Sequence, residues 1–331
     1  LLTASLADPS GYGRVVRDAT GAVTRVVEHR DATPAERAIT EVNTSVYRFA
    51  RAPLVRELQT LRSDNAQGEQ YLTDVVAPLA AAGLDALLAP AELVAGVNDR
   101  AELAAAGAVL RARVLTALMR AGVTVVDPAT TYVDAGVTVA ADAVLLPGTH
   151  LEGTTAVGRA ATVGPDTRLV DTTVDEGATV SYSLAVGAHV GPGATVGPFT
   201  YLRPGARLER GAKAGAFVEI KQSTVGENSK VPHLSYVGDT TIGRDANVGA
   251  ATVTVNYDGY RKHRTVIGDG ARIGSDTMLV APVRVGARAY TGAGSVITKD
   301  VPDGALAVER TEQRVVDGYA DRRQARHDRG E

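Results

Sequence analysis

The chain has 331 residues and a formal net charge of -3, so neither sign of charge dominates and no nucleic-acid or membrane-surface role is indicated. It has no cysteine, which excludes disulfides, thiolate metal sites and cysteine nucleophiles. No apolar run reaches the roughly 18 residues of a membrane helix, and no charged-then-apolar leader is recognised. We expect a cytoplasmic protein that acts on small molecules.

Residues 1–98 mix strand patterns with helix patterns, which is typical of the later part of an α/β domain. The predicted strands are Val23–Glu28 and Val42–Phe49, and the predicted helices are Pro53–Leu61 and Thr73–Ala82. The chain begins at Leu1 in what resembles the middle of a strand. We therefore expect a partial Rossmann-like domain whose natural N-terminus lies further upstream.

Two further segments flank the rest of the chain. Apolar residues at helical intervals predict a linker helix within 99–122, running from Asp99 to about Ala121 with Gly122 just past its end. The last segment, 311–331, is predicted to be a C-terminal tail, and its charged run from Arg322 to Arg329 is predicted to be frayed.

Between these segments, over 123–310, an inward-facing residue recurs at intervals of about six. The predicted inward positions are Val133, Val139, Leu145, Leu151, Val157, Val163, Leu169, Val174, Val180, Val186, Val190, Val196, Leu202, Leu208, Ala214, Ile220, Val225, Val231, Val237, Ile242, Val248, Thr254, Ile267, Ile273, Leu279, Val285, Thr291 and Ile297. A six-residue period is typical of a hexapeptide β-helix, in which each turn is one short strand and one corner. The pattern predicts an all-β parallel β-helix of about nine three-turn coils.

Because each coil holds three turns, corresponding residues on successive coils are predicted to lie above one another. Leu202, Ile220 and Val237 fall on one wall, and their outward neighbours are Tyr201, Arg203, Glu219, Lys221 and Tyr236. Two cations one coil apart suit a phosphate monoester. A ladder of weak surface ion pairs is the plainer alternative.

His233 follows the inward Val231 by two residues, at the corner leading to Tyr236 and within one coil of Glu219. A neutral imidazole is a natural base for deprotonating an amine that attacks a thioester. The other histidines have no comparable neighbours in the predicted arrangement of the coils: His29, His150, His189, His263 and His327.

The six-residue count fails between Thr254 and Ile267, so the residues around 256–262 must form an external loop. Insertions in solenoids frequently carry function, although a solvated loop is also compatible with the pattern. Asn256 and Lys262 are predicted to reach the wall that carries Tyr236.

Four motifs resemble one known family: Arg203-Pro204-Gly205, Glu219-Ile220-Lys221, His233 to Asp239, and Asn256-Tyr257-Asp258-Gly259. The family is the bifunctional glucosamine-1-phosphate acetyltransferase/UDP-N-acetylglucosamine pyrophosphorylase, and the resemblance runs nearly end to end. It implies a left-handed coil, acetyl-CoA as co-substrate, and a homotrimer whose sites are shared between chains. The implied product is N-acetylglucosamine 1-phosphate for UDP-N-acetylglucosamine and cell-wall synthesis.

The resemblance also implies residue roles. His233 would be the general base and Glu219 would orient it. Arg203, Lys221 and Lys262 would bind the sugar phosphate, with Tyr236, Asn247 and Asn256 around the reacting carbon. The acetyl-CoA side would comprise Asn256, Tyr257, Ser275, Ala293 and Arg310.

In the amino-terminal part, Gly13, Glu28, Asn43 and Asn98 match the family's contacts to the UDP sugar, and Asn98 also matches a magnesium ligand. The Gly-rich nucleotide loop and the aspartate that completes the metal site are absent from this sequence. Uridylyl transfer with Mg²⁺ is therefore expected only of a full-length chain. The alternatives are a sugar-1-phosphate nucleotidyltransferase with an assembly-only β-helix, and a non-enzymatic solenoid.

Overall fold

The computed structural model describes residues 1–94, 96–97 and 99–330. The chain divides into two compact units, Leu1–Leu110 and Arg111–Glu331, which are described separately. Within the described residues, no helix is both long enough and apolar enough to cross a membrane.

The first unit is built on a five-stranded sheet in the order β3-β2-β4-β1-β5. Its strands are β1 (Leu2–Ser5), β2 (Arg14–Arg17), β3 (Val23–Val27), β4 (Glu41–Asn43) and β5 (Leu87–Ala89). Its helices are α1 (Pro34–Arg37), α2 (Arg51–Leu58) and α3 (Val76–Ala80), with 3₁₀ turns at Leu72–Val75 and Ala91–Leu93. The pair β1–β5 is parallel and the other pairs are antiparallel.

The predicted strand Val42–Phe49 is wrong beyond its first two residues. The Asn43 side chain accepts a hydrogen bond from the backbone N–H of Ser45 at 3.1 Å, and Ser45 has φ +60°. A residue in the left-handed region cannot continue a strand, and an Asn side chain that bonds two residues ahead favours a turn. The strand therefore ends at Asn43.

The long helix α4 spans Arg100–Arg120, close to the predicted linker helix. Gly122 follows with φ +94°, the conformation that favours glycine just past a helix end. Leu115 is buried, and Val114 and Leu118 pack partly against the core of the second unit. Leu103 and Leu110 remain exposed.

The second unit is a prism of parallel strands arranged in three walls. The first wall comprises β7 (Tyr132–Val133), β10 (Thr149–Glu152), β13 (Thr167–Val170), β16 (Leu184–Val186), β19 (Tyr201–Leu202), β22 (Glu219–Lys221), β25 (Tyr236–Gly238), β28 (Val253–Val255), β31 (Met278–Val280) and β34 (Val296–Ile297). The second comprises β8 (Thr138–Val139), β11 (Ala156–Val157), β14 (Thr173–Val174), β17 (His189–Val190), β20 (Arg207–Leu208), β23 (Thr224–Val225), β26 (Thr240–Ile242), β29 (Thr265–Ile267) and β32 (Val283–Val285).

The third wall comprises β6 (Thr124–Val125), β9 (Val144–Leu145), β12 (Thr162–Val163), β15 (Thr179–Val180), β18 (Thr195–Val196), β21 (Lys213–Ala216), β24 (Lys230–His233), β27 (Asn247–Val248), β30 (Arg272–Ile273), β33 (Tyr290–Thr291) and β35 (Leu306–Ala307). The walls contain ten, nine and eleven strands among the described residues, about ten coils rather than the predicted nine. The additional strands β6 and β35 lie outside the residues that were counted in the sequence. The predicted parallel β-helix is confirmed.

The interior of the prism is a single apolar core, and nearly every predicted inward position is buried in it. Val186 is the exception in register: Ala185, not Val186, lies between Leu169 and Leu202 on the first wall and is fully buried. A count of six from Val180 overshoots, because the coil takes two five-residue steps there. A strand and a corner do not fit into the four residues that the predicted register would have left before Val190.

The C-terminal segment differs from its prediction as a frayed tail, since it contains the helix α5 (Tyr319–Asp328). Arginine, alanine and glutamine, which favour helices, make up much of this sequence. None of its residues is buried.

Candidate active site

Outward side chains of the first wall stack on successive coils as predicted. Tyr201 pairs in register with Glu219, and Glu219 pairs with Tyr236. The neighbouring inward column of Leu202, Ile220 and Val237 is buried. Adjacent strands lie about 4.8 Å apart, so the polar side chains of these three coils share one small area of surface.

Arg203 and Glu219 form an ion pair on this wall. Arg203 Nη1 donates to Glu219 Oε1 at 2.7 Å, and both side chains are partly exposed. The hydrogen bond to Glu219 raises the pKa of Arg203 above its usual value. Exposed pairs of this kind add little stability, so the pair matters more for where it places the two groups than for holding the fold.

Lys221 lies close to a second lysine, Lys262. The close approach of the Lys262 side chain is the largest cause that lowers the pKa of Lys221, followed by desolvation and by the charge of Lys262, while Arg203 lowers it further and Asp239 raises it. Three cations therefore lie together on one patch, where the Glu219 carboxylate is paired with Arg203 and the charge of Asp239 acts on Lys221. Such an arrangement favours the binding of an anion, because an anion relieves the repulsion between like charges.

The loop after β28 carries Lys262 to this patch. Its ends are joined by a hydrogen bond from the His263 backbone N–H to the Asn256 carbonyl at 2.8 Å and by a bridge between Tyr257 and Lys262. Asp258 Oδ1 accepts from the backbone N–H of Tyr260 at 2.8 Å and from that of the residue after it. The loop is thus held by its own polar contacts.

Asp258 is the centre of that network. Its backbone hydrogen bonds and its contact with His263 Nε2, 2.7 Å from Oδ2, lower its pKa to about 2. The carboxylate is therefore charged at all pH values near neutrality.

Asn256 is almost fully buried, at 7% exposure, between the loop and the first wall. Its Nδ2 donates to Asp239 Oδ2 at 2.6 Å and to Tyr236 Oη at 3.4 Å. Gly238 lies beneath these groups, and a Cβ there would come within 2.5 Å of both the Tyr236 hydroxyl and the Asn256 amide nitrogen. A glycine at this position allows the three polar groups to meet.

His233 is the last residue of β24, at the corner between the third and first walls, and its side chain is exposed. The Ser235 hydroxyl donates to its carbonyl at 2.7 Å, and Leu234 beside it has φ +49°. Within residues 1–94, 96–97 and 99–330, no hydrogen bond to the imidazole is found, and Glu219 is bonded to Arg203. The orientation of His233 by Glu219 remains a prediction.

Two histidines for which the sequence predicted no partner do have carboxylate partners in the structure. His189 Nε2 lies 2.7 Å from Asp175 Oδ2, and His263 lies the same distance from Asp258. The first pair was open to prediction, because Thr173 and His189 are in register and Asp175 is the next residue on the same face of that wall. Neither pair lies on the first wall.

Two of the residues predicted for the acetyl-CoA side, Ser275 and Ala293, lie at one corner of the prism, and Arg310 contacts it. The Ala250 carbonyl accepts a hydrogen bond from the backbone N–H of Asp276, and on the next coil the Ser275 carbonyl accepts a backbone hydrogen bond in the same way. One coil further, the Ala293 carbonyl accepts from Arg310 Nη1 at 3.0 Å. His233 lies at the start of this corner in its own coil. Tyr257, also predicted for acetyl-CoA, projects from the loop, and Asn247, predicted to lie around the reacting carbon, is on the third wall in β27.

The same corner carries a ridge of exposed apolar side chains before His233. The ridge consists of Tyr182, Phe199, Phe217 and Leu234, which are 43%, 57%, 60% and 60% exposed. Ring centroids lie 6.0 Å apart in its first pair and 5.3 Å apart in its second. On the following coils the register places small or polar residues at this position: Ala251, Asp276 and Gly294.

In the first unit, three of the four residues predicted for the UDP sugar lie near one another. The Asn43 N–H bonds to the Gly13 carbonyl at 2.8 Å, and a Cβ on Gly13 would lie 3.3 Å from the Glu28 carboxylate. Glu28 accepts from the Thr73 hydroxyl at 2.9 Å. Asn98, also predicted as a magnesium ligand, lies outside the described residues. Among the residues that are described, no group of three or more His, Asp or Glu side chains is placed to hold a metal ion.

Comparison with known proteins gives one family match and close relatives. Residues 264–299 match the bacterial transferase hexapeptide (six repeats) model. A bifunctional protein GlmU from Streptomyces coelicolor is 55% identical over 327 residues, covering 98% of this chain and 68% of the relative. Another bifunctional protein GlmU, from Thermobifida fusca, is 58% identical over 326 residues, covering 98% and 67%. The chain thus spans about two thirds of the length of these relatives.

Among solved structures, an Arabidopsis UDP-N-acetylglucosamine acyltransferase aligns over 61% of this chain and 75% of that chain. The identity is 15% and the TM-score is 0.33.

Proposed function

This chain belongs to the bifunctional GlmU family, and from that membership we propose that its β-helix transfers the acetyl group of acetyl-CoA to the amine of glucosamine 1-phosphate. The product, N-acetylglucosamine 1-phosphate, serves UDP-N-acetylglucosamine synthesis in the cytoplasm. The observation that carries the assignment to this surface is the convergence of Arg203, Lys221 and Lys262 beside the corner that holds His233. An assembly-only β-helix or a non-enzymatic solenoid has no need of such a cluster.

The three cations bind the phosphate group of the substrate. A phosphate dianion placed between Lys221 and Lys262 offsets their mutual repulsion and accepts several charge-assisted hydrogen bonds. Arg203 supplies a planar set of donors that suits two phosphate oxygens. The sugar is thereby held with its amine toward Tyr236 and Asn256, on the adjoining coil.

His233 acts as the general base. As the amine nitrogen attacks the thioester carbonyl carbon, a C–N bond forms and the imidazole takes one proton from that nitrogen. The C–S bond then breaks, and the same proton is returned to the departing sulfur as the free thiol of CoA. Backbone N–H groups at the corner are suited to stabilise the oxyanion of the tetrahedral intermediate.

Glu219 orients His233 once substrate is bound. In the structure its carboxylate accepts from Arg203, the same guanidinium that the phosphate requires. Phosphate binding competes for those donors and frees Glu219 to turn toward the imidazole one coil further on. Substrate binding and the alignment of the base are coupled in this way.

Acetyl-CoA lies along the corner beyond His233, where the ridge gives way to small residues. The side chain at this position is the exposed Leu234 in the coil of His233 and the smaller Ala251 in the next, so the corner becomes shallow where the thioester must approach. Ser275, Ala293, Asn256 and Tyr257 line the path. Arg310, at its far end, provides charge for a CoA phosphate.

The chain assembles as a homotrimer with sites shared between copies. The four exposed apolar side chains of the ridge form a continuous strip, and such strips mark interaction surfaces. The ridge ends at His233, so a copy packed on it lies beside the active corner. Asn247 projects from the third wall and meets substrate where neighbouring prisms adjoin.

Residues 1–98 form part of a nucleotidyltransferase domain, 99–122 the linker helix, 123–310 the acetyltransferase domain and 311–331 the tail. Gly13, Glu28 and Asn43 are the UDP-sugar contacts of the first domain, together with Asn98. Magnesium belongs to that activity alone, and no step of acetyl transfer depends on it.

The test is an assay of acetyl-CoA with glucosamine 1-phosphate that follows the release of free thiol. The intact chain is compared with His233→Ala and with His189→Ala, a matched control on the second wall. We expect thiol release by the intact chain and the control, and a loss of at least about a hundredfold in His233→Ala. Equal rates for all three proteins would overturn the mechanism.

A further inference from the structure

Asp239 directly follows β25 and has not been assigned a role. Its backbone N–H bonds to the Lys221 carbonyl at 3.1 Å, and its own carbonyl accepts from the Thr265 N–H at 3.2 Å. Its φ is +50°, so the residue sits at a tight corner. Its carboxylate reaches Asn256 Nδ2 at 2.6 Å, beneath the loop that brings in Lys262.

Resting on the proposed function, we propose that Asp239 is a positioning residue: through Asn256 it fixes which atoms of the substrate pocket donate hydrogen bonds and which accept them. The chain of contacts runs from the Asp239 carboxylate to the Asn256 amide and on to the Tyr236 hydroxyl.

The direction of the first contact follows from the chemistry of the two groups. An ionised carboxylate has no proton to donate and can only accept hydrogen bonds. Asn256 must therefore turn its NH₂ toward Asp239, which directs its carbonyl oxygen away from it. Because Asn256 is nearly fully buried, its amide has no water-exposed alternative that would tolerate the opposite orientation.

The second contact, between Asn256 and Tyr236, also has the Asn256 amide as the donor. Asn256 Nδ2 also donates to Tyr236 Oη at 3.4 Å, so both hydrogens of the amide are engaged. The Tyr236 hydroxyl is then an acceptor toward Asn256, and its own proton is directed elsewhere. The pocket thus presents one fixed acceptor, Asn256 Oδ1, and one fixed donor, the Tyr236 hydroxyl.

This polarity suits a substrate that brings an N–H or O–H donor next to an oxygen acceptor, as an amino sugar does. If Asp239 were neutral, Asn256 could rotate by half a turn and offer its oxygen to Asp239 instead. The amide would then turn its NH₂ toward the pocket and its oxygen toward the Tyr236 hydroxyl, which would donate to it, so the donor and the acceptor of the pocket would exchange places. A mismatch of this kind leaves a buried polar group without a partner, which is costly in binding.

Asp239 has a second electrostatic effect, on Lys221. The charged groups that shift Lys221 are Lys262 and Arg203, which lower its pKa, and Asp239, which raises it. Loss of the Asp239 charge leaves only the two cations acting on Lys221. The alkaline rise in KM for glucosamine 1-phosphate should accordingly move to lower pH.

The test is Asp239→Asn, because Asn tolerates a positive φ and preserves the corner. The matched control is Asp171→Asn, at the same corner four coils earlier, where φ is +47° and the carboxylate accepts from the Thr154 N–H at 2.9 Å. We expect Asp239→Asn to raise KM for glucosamine 1-phosphate at least about tenfold. The rise of this KM at alkaline pH should begin at a lower pH than in the intact chain. Asp171→Asn should stay within about twofold of the intact chain.

A double-mutant cycle with Tyr236→Phe distinguishes positioning from general weakening. If Asp239 acts through Asn256 on Tyr236, the double variant should lose little more than the worse single variant. Fully additive losses, or unchanged KM and pH profile in Asp239→Asn, would overturn the proposal. Equal losses in both Asp→Asn variants, accompanied by lower unfolding temperatures, would overturn it in favour of a structural role.

Absence of acetyl transfer in the intact chain itself would contradict the proposed function instead. In that case the orientation of Asn256 is still measured by nitrogen-15 NMR of its side-chain amide. Unchanged amide shifts in Asp239→Asn would overturn the inference independently of activity.

Discussion

Arg203 Nη1 donates to Glu219 Oε1 across 2.7 Å, one coil apart on the first wall. The carboxylate predicted to orient the base is therefore engaged with the guanidinium predicted to bind phosphate. The two functions are connected through one ion pair, which gives each residue a distinct kinetic signature.

Glu219→Gln should lower kcat by about ten- to a hundredfold, because the neutral amide orients an imidazole base poorly. KM for glucosamine 1-phosphate should not rise, since Arg203 is released for phosphate. Steady-state thiol release at varied sugar phosphate separates the two constants. Arg203→Ala serves as the contrast and should mainly raise KM; a rise in KM alone for Glu219→Gln would contradict the orienting role.

Lys262→Ala should raise KM for glucosamine 1-phosphate about tenfold near neutral pH, because one of the three cations proposed to bind the phosphate is lost. Lys262 is also the largest cause that lowers the pKa of Lys221, so its removal raises that pKa. Lys221 then stays protonated to higher pH, and the alkaline rise in KM moves upward. The measurement is KM between about pH 7 and pH 10, with Lys213→Ala as the control. An alkaline limb that does not move, or that moves downward, would contradict the contact.

Ala185→Leu should destabilise the prism by about 1–3 kcal/mol, because Ala185 is fully buried and extra methylenes overpack the core. Val186→Leu adds a single methylene on the outside of the same strand and should change stability by less than about 0.5 kcal/mol. Calorimetric unfolding of both variants measures the difference. The reverse order of effects would restore the register predicted from the sequence.

Phe217→Asp should dissociate the proposed trimer, because it places a charge in the exposed strip that neighbouring copies are proposed to cover. Acetyl transfer should fall in parallel, since the ridge ends at the active corner. Light scattering after size exclusion gives the mass of the assembly. Leu103→Asp, equally exposed on α4, is the control; an unchanged mass for Phe217→Asp would place the interface elsewhere.

The stack on the first wall could be predicted because it depends on two regular features of the backbone. Side chains alternate between the inside and the outside along a strand, and each coil returns the chain to the same wall. The stacking of Tyr201, Glu219 and Tyr236 can therefore be predicted by counting residues. Val186 was misplaced because the corners vary between five- and six-residue steps. Step length depends on corner conformation, which in this region includes Tyr182 with φ +47° and is not visible in a periodic pattern.

The contacts of Asn256 could not be predicted for a different reason. The loop that begins at Asn256 leaves the coil, so the six-residue count predicts where the loop starts and ends but not how its residues are arranged. The orientation of its amide depends on Asp239, and the room for it depends on Gly238 beneath. Three residues from two coils must be placed together before the polarity of the pocket becomes apparent.

The corner from His233 through Ala250 and Ser275 to Ala293 has a fixed length, because each step is one strand spacing. Three coils of about 4.8 Å set the base about 14 Å from Ala293, whose carbonyl anchors Arg310. On the proposed mode of acetyl-CoA binding, the distance between the base and Arg310 is therefore set in whole coils. Deleting one complete coil between His233 and Ala293 would bring Arg310 closer by one strand spacing, so its charge would meet a different part of the CoA chain in that binding mode.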